Sequence, residues 1–296
     1  MPGPSTLLDP EFMNRLEQLS LVSRKVFTGK IKGERRSKKK GVSVEFADYK
    51  NYTHGDDLRF LDWNIYGRLD KLFLKLFMEE EDLRVYILVD TSRSMLFGEP
   101  VSKFDFARKV AAAIAYIGLC NLDRVAVRAF AGTLAEQFRP TRGKRQVWKL
   151  FEFLDGVKCD GTTSLRDTFK RFVIEHRGKG IVVVISDFLD KESFEDGMKY
   201  LLYNQMDVFV MHVLAEEEVN PPFVGDFKLV DAEDGDIAEV SMSASVMKAY
   251  QRTVNSFCNH VHTYCSKNGF NYLFTTSGVP FDQLVLNYLR KVGLTK

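Results

Sequence analysis

Ile181-Val182-Val183-Val184-Ile185 is an unbroken run of five β-branched residues, and a strand of that composition needs apolar neighbours on both of its faces. Similar short runs recur at Val85–Val89, Arg124–Ala131, Asp207–Leu214 and Tyr272–Thr275. Between and after them lie stretches whose apolar residues repeat at helical spacing: Phe104–Asn121, Gln146–Leu154, Ser164–His176, Phe194–Asn204, Ala244–Lys267 and Phe281–Lys291. Alternation of this kind predicts an α/β fold, a doubly wound and mostly parallel sheet of about six strands flanked by helices on both faces. Leu134–Phe138 reads as a short antiparallel partner of Arg124–Ala131 across the turn Ala131-Gly132-Thr133. Phe227–Asp231 and Ile237–Val240 read as a hairpin around Asp234-Gly235.

Ahead of residue 83 the pattern differs. Phe12, Leu16, Leu19, Val22 and Val26 mark one amphipathic helix from Pro10 to about Thr28, and Val42–Phe46 and Leu72–Phe77 alternate like strands. Turn residues crowd Asn51–Asp57. We therefore divide the chain into an N-terminal helix/strand extension, residues 1–82, packed on a core domain of residues 83–296. With 296 residues, 45 % of them hydrophobic and 24 Phe, the chain can build one large core and a smaller appendage.

Net charge is +2, yet residues 24–40 hold nine Lys or Arg against Glu34 alone. The rest of the chain is therefore net acidic, which argues against nucleic acid as the partner of the whole molecule. The basic segment 30–40 has no interleaved aromatic residue, and acidic Glu79–Asp82 is a ready partner for it. Cys120, Cys159, Cys258 and Cys265 show no paired short spacing, as expected of reduced thiols in the cytoplasm. No apolar run approaches the roughly 18 residues of a membrane span, and no signal pattern opens the chain.

The strand at Val85 ends in Asp90-Thr91-Ser92-Arg93-Ser94, which sets one carboxylate and two hydroxyls on the turn that follows. In open α/β sheets ligands bind beyond the carboxyl ends of the strands. Oxygen donors with so little charge suit Mg²⁺ or Mn²⁺ that keeps some waters. A cation left short of negative charge there seeks an acidic group on another molecule. Two further segments supply matching donors: Gly161-Thr162-Thr163-Ser164-Leu165 before a helix, and Ser186-Asp187 at the end of the 181–185 strand.

Asp90, Ser92, Ser94, the Gly161-x-Thr163 loop and Asp187 together resemble the three-loop metal-ion-dependent adhesion site (MIDAS) of von Willebrand factor type A domains. That resemblance implies that the two Ser with Thr163 or one Asp ligate the metal directly, and that the open position takes a partner's Asp or Glu. Thr163 is preferred over Thr162 because Leu165 and Phe169 then fall on the buried side of the next helix. The family usually has Gly after the last Asp, where this chain has Phe188. The N-terminal third resembles the bacterial domain of unknown function 58. The residues that carry this likeness are Gly33–Ser37, Gly41, Glu45–Tyr49, Gly55–Arg59, Leu61–Asn64 and Leu72–Lys75. That resemblance implies a von Willebrand type A core and an adaptor or chaperone-like role beside a MoxR-type AAA+ ATPase or its client. Many relatives carry membrane spans ahead of this block, and their lack here points to a soluble version.

Asp90 could serve as the nucleophile of a Mg²⁺-dependent phosphohydrolase, but Ser92 stands where such enzymes place a second acid. A nucleic-acid adaptor would use segment 30–40. His54, His176 and His212 lack companions in sequence, and Cys258, His262 and Cys265 share one helical face without a fourth zinc ligand. Asp56–Trp63 suggests a carboxylate–arginine network under a buried Trp, and we read the block as a structural clamp that holds the N-terminal segment to the core.

Overall fold

A computed structural model describes residue 7 and residues 9–19, 46–77, 84–131, 134–162, 164–176, 180–190, 192–204, 206–222, 225–230 and 236–294. The chain divides into two compact units, residues 1–26 with 83–296 and residues 27–82. Helix α1, residues 10–19, belongs to the larger unit, where Phe12 packs on Phe151 and Phe281 with ring centroids 6.3 and 5.0 Å away.

In the smaller unit, β1 (Phe46–Asn51) and β2 (Phe73–Phe77) pair antiparallel, and α2 (Trp63–Leu69) lies between them in sequence. Asp62 organises this unit. Its carboxylate caps α2 by accepting the Asn64 and Ile65 N–H groups (2.9 and 3.3 Å). It also accepts the Tyr49 hydroxyl (3.2 Å) and the Lys75 ammonium (3.0 Å). The expected carboxylate–arginine network under a buried Trp is thus corrected. The buried carboxylate is tied to Lys75 and Tyr49, Arg59 pairs with Asp57 at the surface, and Trp63, first residue of the capped helix, is 65 % exposed. The expected strand residues 42–45, the basic segment 30–40 and Glu79–Asp82 lie outside the described residues.

The larger unit is built on β3 (Arg84–Asp90), β4 (Arg124–Ala131), β5 (Leu134–Thr141) and β6 (Ile181–Ser186), with β7 (Asp207–Leu214) and a last strand, Asn271–Thr276. Its helices begin with α3 (Lys103–Cys120), α4 (Val147–Gly156), α5 (Leu165–Glu175), α6 (Phe194–Tyr203) and the single turn α7 (Glu216–Val219). A separate antiparallel pair, β8 (Gly225–Val230) and β9 (Ile237–Met242), then leads to α8 (Ala244–Lys267). The Asn271–Thr276 strand is β10, and α9 (Phe281–Leu294) closes the chain. The two expected turns, at 132–133 and 231–235, lie outside the described residues.

The six strands run in the order β10-β7-β6-β3-β4-β5, all parallel except β5, which is antiparallel to β4 at the edge. This is the expected doubly wound, mostly parallel sheet. Because side chains alternate along a strand, Tyr86 and Leu88 of β3 enter one face and Val85, Ile87 and Val89 the other. On the first face they join Phe169 and Phe172 of α5, Met198 and Leu201 of α6, and Val261 and Cys265 of α8. On the second lies α3, buried along nearly its whole length, with α4 and α9 beside it. Pairing of β3 with β6 sets Val89 opposite Ile185, so Asp90 and Ser186 leave the sheet side by side. The strands that the site needs are the two central ones.

Candidate functional site

Asp90 ends β3 and is fully buried. Its Oδ1 accepts the Ser92 N–H (2.9 Å), an Asx-type turn that folds the chain back toward the sheet. Its Oδ2 accepts the Ser186 hydroxyl from the end of β6 (2.6 Å). The turn brings the Ser92 and Ser94 hydroxyls to 3.0 Å from each other. Both oxygens of Asp90 are thereby fixed, one by the turn after β3 and one by the end of the adjacent strand β6.

Asp187, also fully buried, follows on β6. Its Oδ1 accepts the Leu189 N–H (3.1 Å), and the Ser186 hydroxyl oxygen accepts the Phe188 N–H (2.9 Å). These bonds hold a tight turn in which Phe188 has φ +57°, the left-handed region that favours glycine. The glycine expected here from the resemblance would sit in the same left-handed region that Phe188 adopts. The buried Phe188 ring, packed against Phe194 and His212, anchors the turn in its place.

The second oxygen of Asp187 accepts the Lys103 ammonium at 2.7 Å, and the same ammonium donates to Glu218 at 2.6 Å. Lys103 is fully buried, and its partners sit on a strand end and on α7. Glu218 is fixed in turn, its other oxygen accepting the Ala215 N–H at 2.7 Å. Burial alone would lower the Lys103 pKa, but the two carboxylates outweigh it and hold the ammonium above its ordinary value. Behind Asp187 lies His212, buried and held neutral: burial lowers it to about 4, and Lys103 adds to that. His212, which lacks companions in sequence, gains one in the fold. Its Nδ1 lies 2.9 Å from the Tyr272 hydroxyl.

The 161 loop closes the arrangement. The Arg93 N–H donates to the Gly161 carbonyl (3.2 Å) and the Asp160 N–H to the Thr91 carbonyl (3.0 Å). An exposed Arg93–Asp160 ion pair (2.8 Å) spans the same two loops. On the far side Asp190, rather than Ser164, caps α5 by accepting the Leu165 N–H at 2.9 Å. With the Ser186–Asp90 bond, the three loops form a closed ring of hydrogen bonds. Thr162 is exposed on this ring; Thr163 lies outside the described residues.

Asp90, Ser92, Ser94 and Asp187 therefore converge from loops far apart in sequence. Burial, and then the neighbouring Asp187 carboxylate, push the Asp90 pKa up to about 7, against the bonds from Ser186 and Ser92. A divalent cation would relieve that penalty directly. The 3.0 Å between the two hydroxyls also matches adjacent ligands of an octahedral ion, which lie about 3 Å apart when each is about 2.1 Å from the metal. The donor set fits Mg²⁺ or Mn²⁺. Among the described residues no group of three or more His, Cys, Asp or Glu could hold a metal, so any such site here relies on hydroxyls. His262 packs on Tyr272, and Cys265 is buried in the core. The four cysteines are free thiols.

Sequence reasoning missed Lys103 and Glu218 as members of this constellation, and it did not foresee that the Ser186 hydroxyl holds Asp90. Lys103 did leave a trace, since a cation in the first turn of a helix opposes the macrodipole and needs a local reason. Glu218 follows the end of β7, where site residues of such sheets gather.

The family model described as "Protein of unknown function DUF58" matches residues 48–257, more than half of the chain. The uncharacterized protein Rv1480 of Mycobacterium tuberculosis is 25 % identical over 252 residues, covering 82 % of this chain and 78 % of its own length. Among solved structures, the chain is similar to the conserved hypothetical protein BatB from Bacteroides thetaiotaomicron, with 15 % identity and a TM-score of 0.45; the match covers 71 % of this chain and 99 % of that one. It is likewise similar to an aerotolerance-related membrane protein from Bacteroides fragilis, with 17 % identity, a TM-score of 0.46 and coverage of 71 % and 99 %. Among the described residues here, no helix is long and apolar enough to cross a membrane.

Proposed function

The chain belongs to the DUF58 family, whose description names no activity, and from the chemistry of its site we propose that it is a non-catalytic, metal-dependent protein-interaction module. In this reading residues 83–296 form the binding domain, acting in the cytoplasm. Ser92 and Ser94 hold Mg²⁺ or Mn²⁺ directly, with Thr163 from the neighbouring loop, while Asp90 and Asp187 supply the negative charge around it. The metal, when bound, acts as a Lewis acid whose open position takes an Asp or Glu of the partner. The protein residues fix the hydroxyl pair, keep the carboxylates dry and leave the charge of the ion incompletely balanced. The observation that carries this reading is the ring of hydrogen bonds that locks Asp90 beneath the Ser92–Ser94 hydroxyl pair.

The partner we propose is a MoxR-type AAA+ ATPase or a client delivered to it, as the family resemblance implies. A phosphohydrolase is disfavoured by the burial of Asp90, both of whose oxygens are committed to hydrogen bonds, because a nucleophile must reach its phosphorus. Titration of the protein with the purified ATPase tests the reading. Binding in Mg²⁺ that disappears in EDTA and in Asp90→Ala is the expected result. Equal binding in all three conditions would overturn it.

A further inference from the structure

We propose that Lys103 is a positioning residue that weakens the metal site on purpose: its ammonium neutralises Asp187, so the site holds a divalent ion loosely until an outside carboxylate joins it. This rests on the metal-binding reading above and adds to it a residue that sets the affinity. The geometry is specific. A fully buried ammonium lies 2.7 Å from one oxygen of Asp187, and the other oxygen is taken by the Leu189 N–H. Asp187 therefore enters the site with its charge partly paired, and Asp90 is left to supply the larger share of the compensation for a double charge.

The pairing is built in. Lys103 opens α3, where Ser102 caps the helix by accepting the Asp105 N–H. Glu218 holds the ammonium from the opposite side at 2.6 Å, and α7 holds Glu218 through the Ala215 N–H. Tyr250 of α8 donates its hydroxyl to the Glu218 carbonyl at 2.8 Å, fixing that turn from behind. His212, the other titratable side chain behind Asp187, is neutral and brings no compensating charge. Glu218 thus draws part of the ammonium's field away from Asp187. Two changes should then act in opposite directions on metal affinity, whereas a purely structural role for both residues would make both changes harmful.

The test is Mn²⁺ binding alone, followed by the loss of the free-ion signal in electron paramagnetic resonance. It would compare wild type, Lys103→Met, Glu218→Gln, the double variant and Asp90→Ala. We expect Lys103→Met to bind Mn²⁺ roughly tenfold or more tightly than wild type, and Glu218→Gln to bind it more weakly. Removing the buried ammonium leaves two carboxylates facing each other, so Lys103→Met itself can fail to fold. The double variant removes one charge of each sign, and it should bind Mn²⁺ more tightly than Glu218→Gln alone. If wild type binds Mn²⁺ and Asp90→Ala does not, while neither Lys103 variant gains affinity over its parent, the Lys103 proposal falls alone. If no variant exceeds Asp90→Ala, the metal reading falls and takes the proposal with it.

Discussion

A carboxyl group with no solvent exposure and a second carboxylate beside it keeps its proton until the solution is nearly neutral, and Asp90 is in that position. With a folded-state pKa of about 7 against about 3.9 when unfolded, Asp90 lets the metal-free folded protein bind the extra proton between those values. Its contribution to stability is whole below about pH 4 and is lost as pH rises toward 7. His212, lowered to about 4 from about 6.5, acts with the opposite sign over much of the same window. These two contributions oppose each other in wild type, and the difference between Asp90→Asn and wild type cancels His212 and reports the carboxyl. We expect that difference, from urea unfolding in EDTA, to move in favour of Asp90→Asn by up to about 4 kcal/mol between pH 4 and 7.5. A difference independent of pH would contradict the placement of Asp90. Phe188 offers a second check at this scale. Truncating the buried ring costs about 3–5 kcal/mol, but φ is +57°, so Phe188→Gly should be about 1 kcal/mol more stable than Phe188→Ala. Ala is ordinarily the better of the two, and equal or reversed stabilities would show that the backbone turn relaxes.

The elements that hold the site meet at one glycine. A Cβ on Gly197 of α6 would stand 2.9 Å from the Leu165 carbonyl carbon and oxygen at the start of α5. Backbone cannot rotate out of the way, so Gly197→Ala must push α6 from α5 just where Asp190 caps Leu165. We expect a loss of about 1–3 kcal/mol in chemical denaturation. Gly156→Ala, at the open end of α4, should be neutral or slightly stabilising. Equal effects at both positions would mean that the α5–α6 crossing is looser than it stands here. At this scale sequence reading worked where burial is two-sided or striped. The runs at β3 and β6 have water on neither face, and α8 keeps Val254 and Val261 on its inner stripe. It failed at α2, which buries none of its residues and so has no apolar period to read. What fixes α2 is the Asp62 cap and its links to Tyr49 and Lys75, contacts that periodicity does not register.

For the whole molecule, the fold was legible and the site partly so, for a common reason. The strand–turn motif at Asp90 and the Ser186-Asp187 pair are local signals, and a parallel sheet brings the ends of neighbouring strands together whatever lies between them. Lys103 and Glu218 meet Asp187 only through the finished fold: Lys103 lies 84 positions before Asp187, and Glu218 reaches it through Lys103, 115 positions from its own place in the chain. The strand-end motifs alone do not contain the ammonium of Lys103 that lies against Asp187. Diffraction from crystals grown with Mn²⁺, recorded at the manganese absorption edge, would locate the ion itself. We expect one anomalous peak in contact with the Ser92 and Ser94 hydroxyls, absent from Asp90→Ala crystals, with Lys103 still bound to Asp187. A peak elsewhere, or none at that hydroxyl pair, would contradict the proposed metal site.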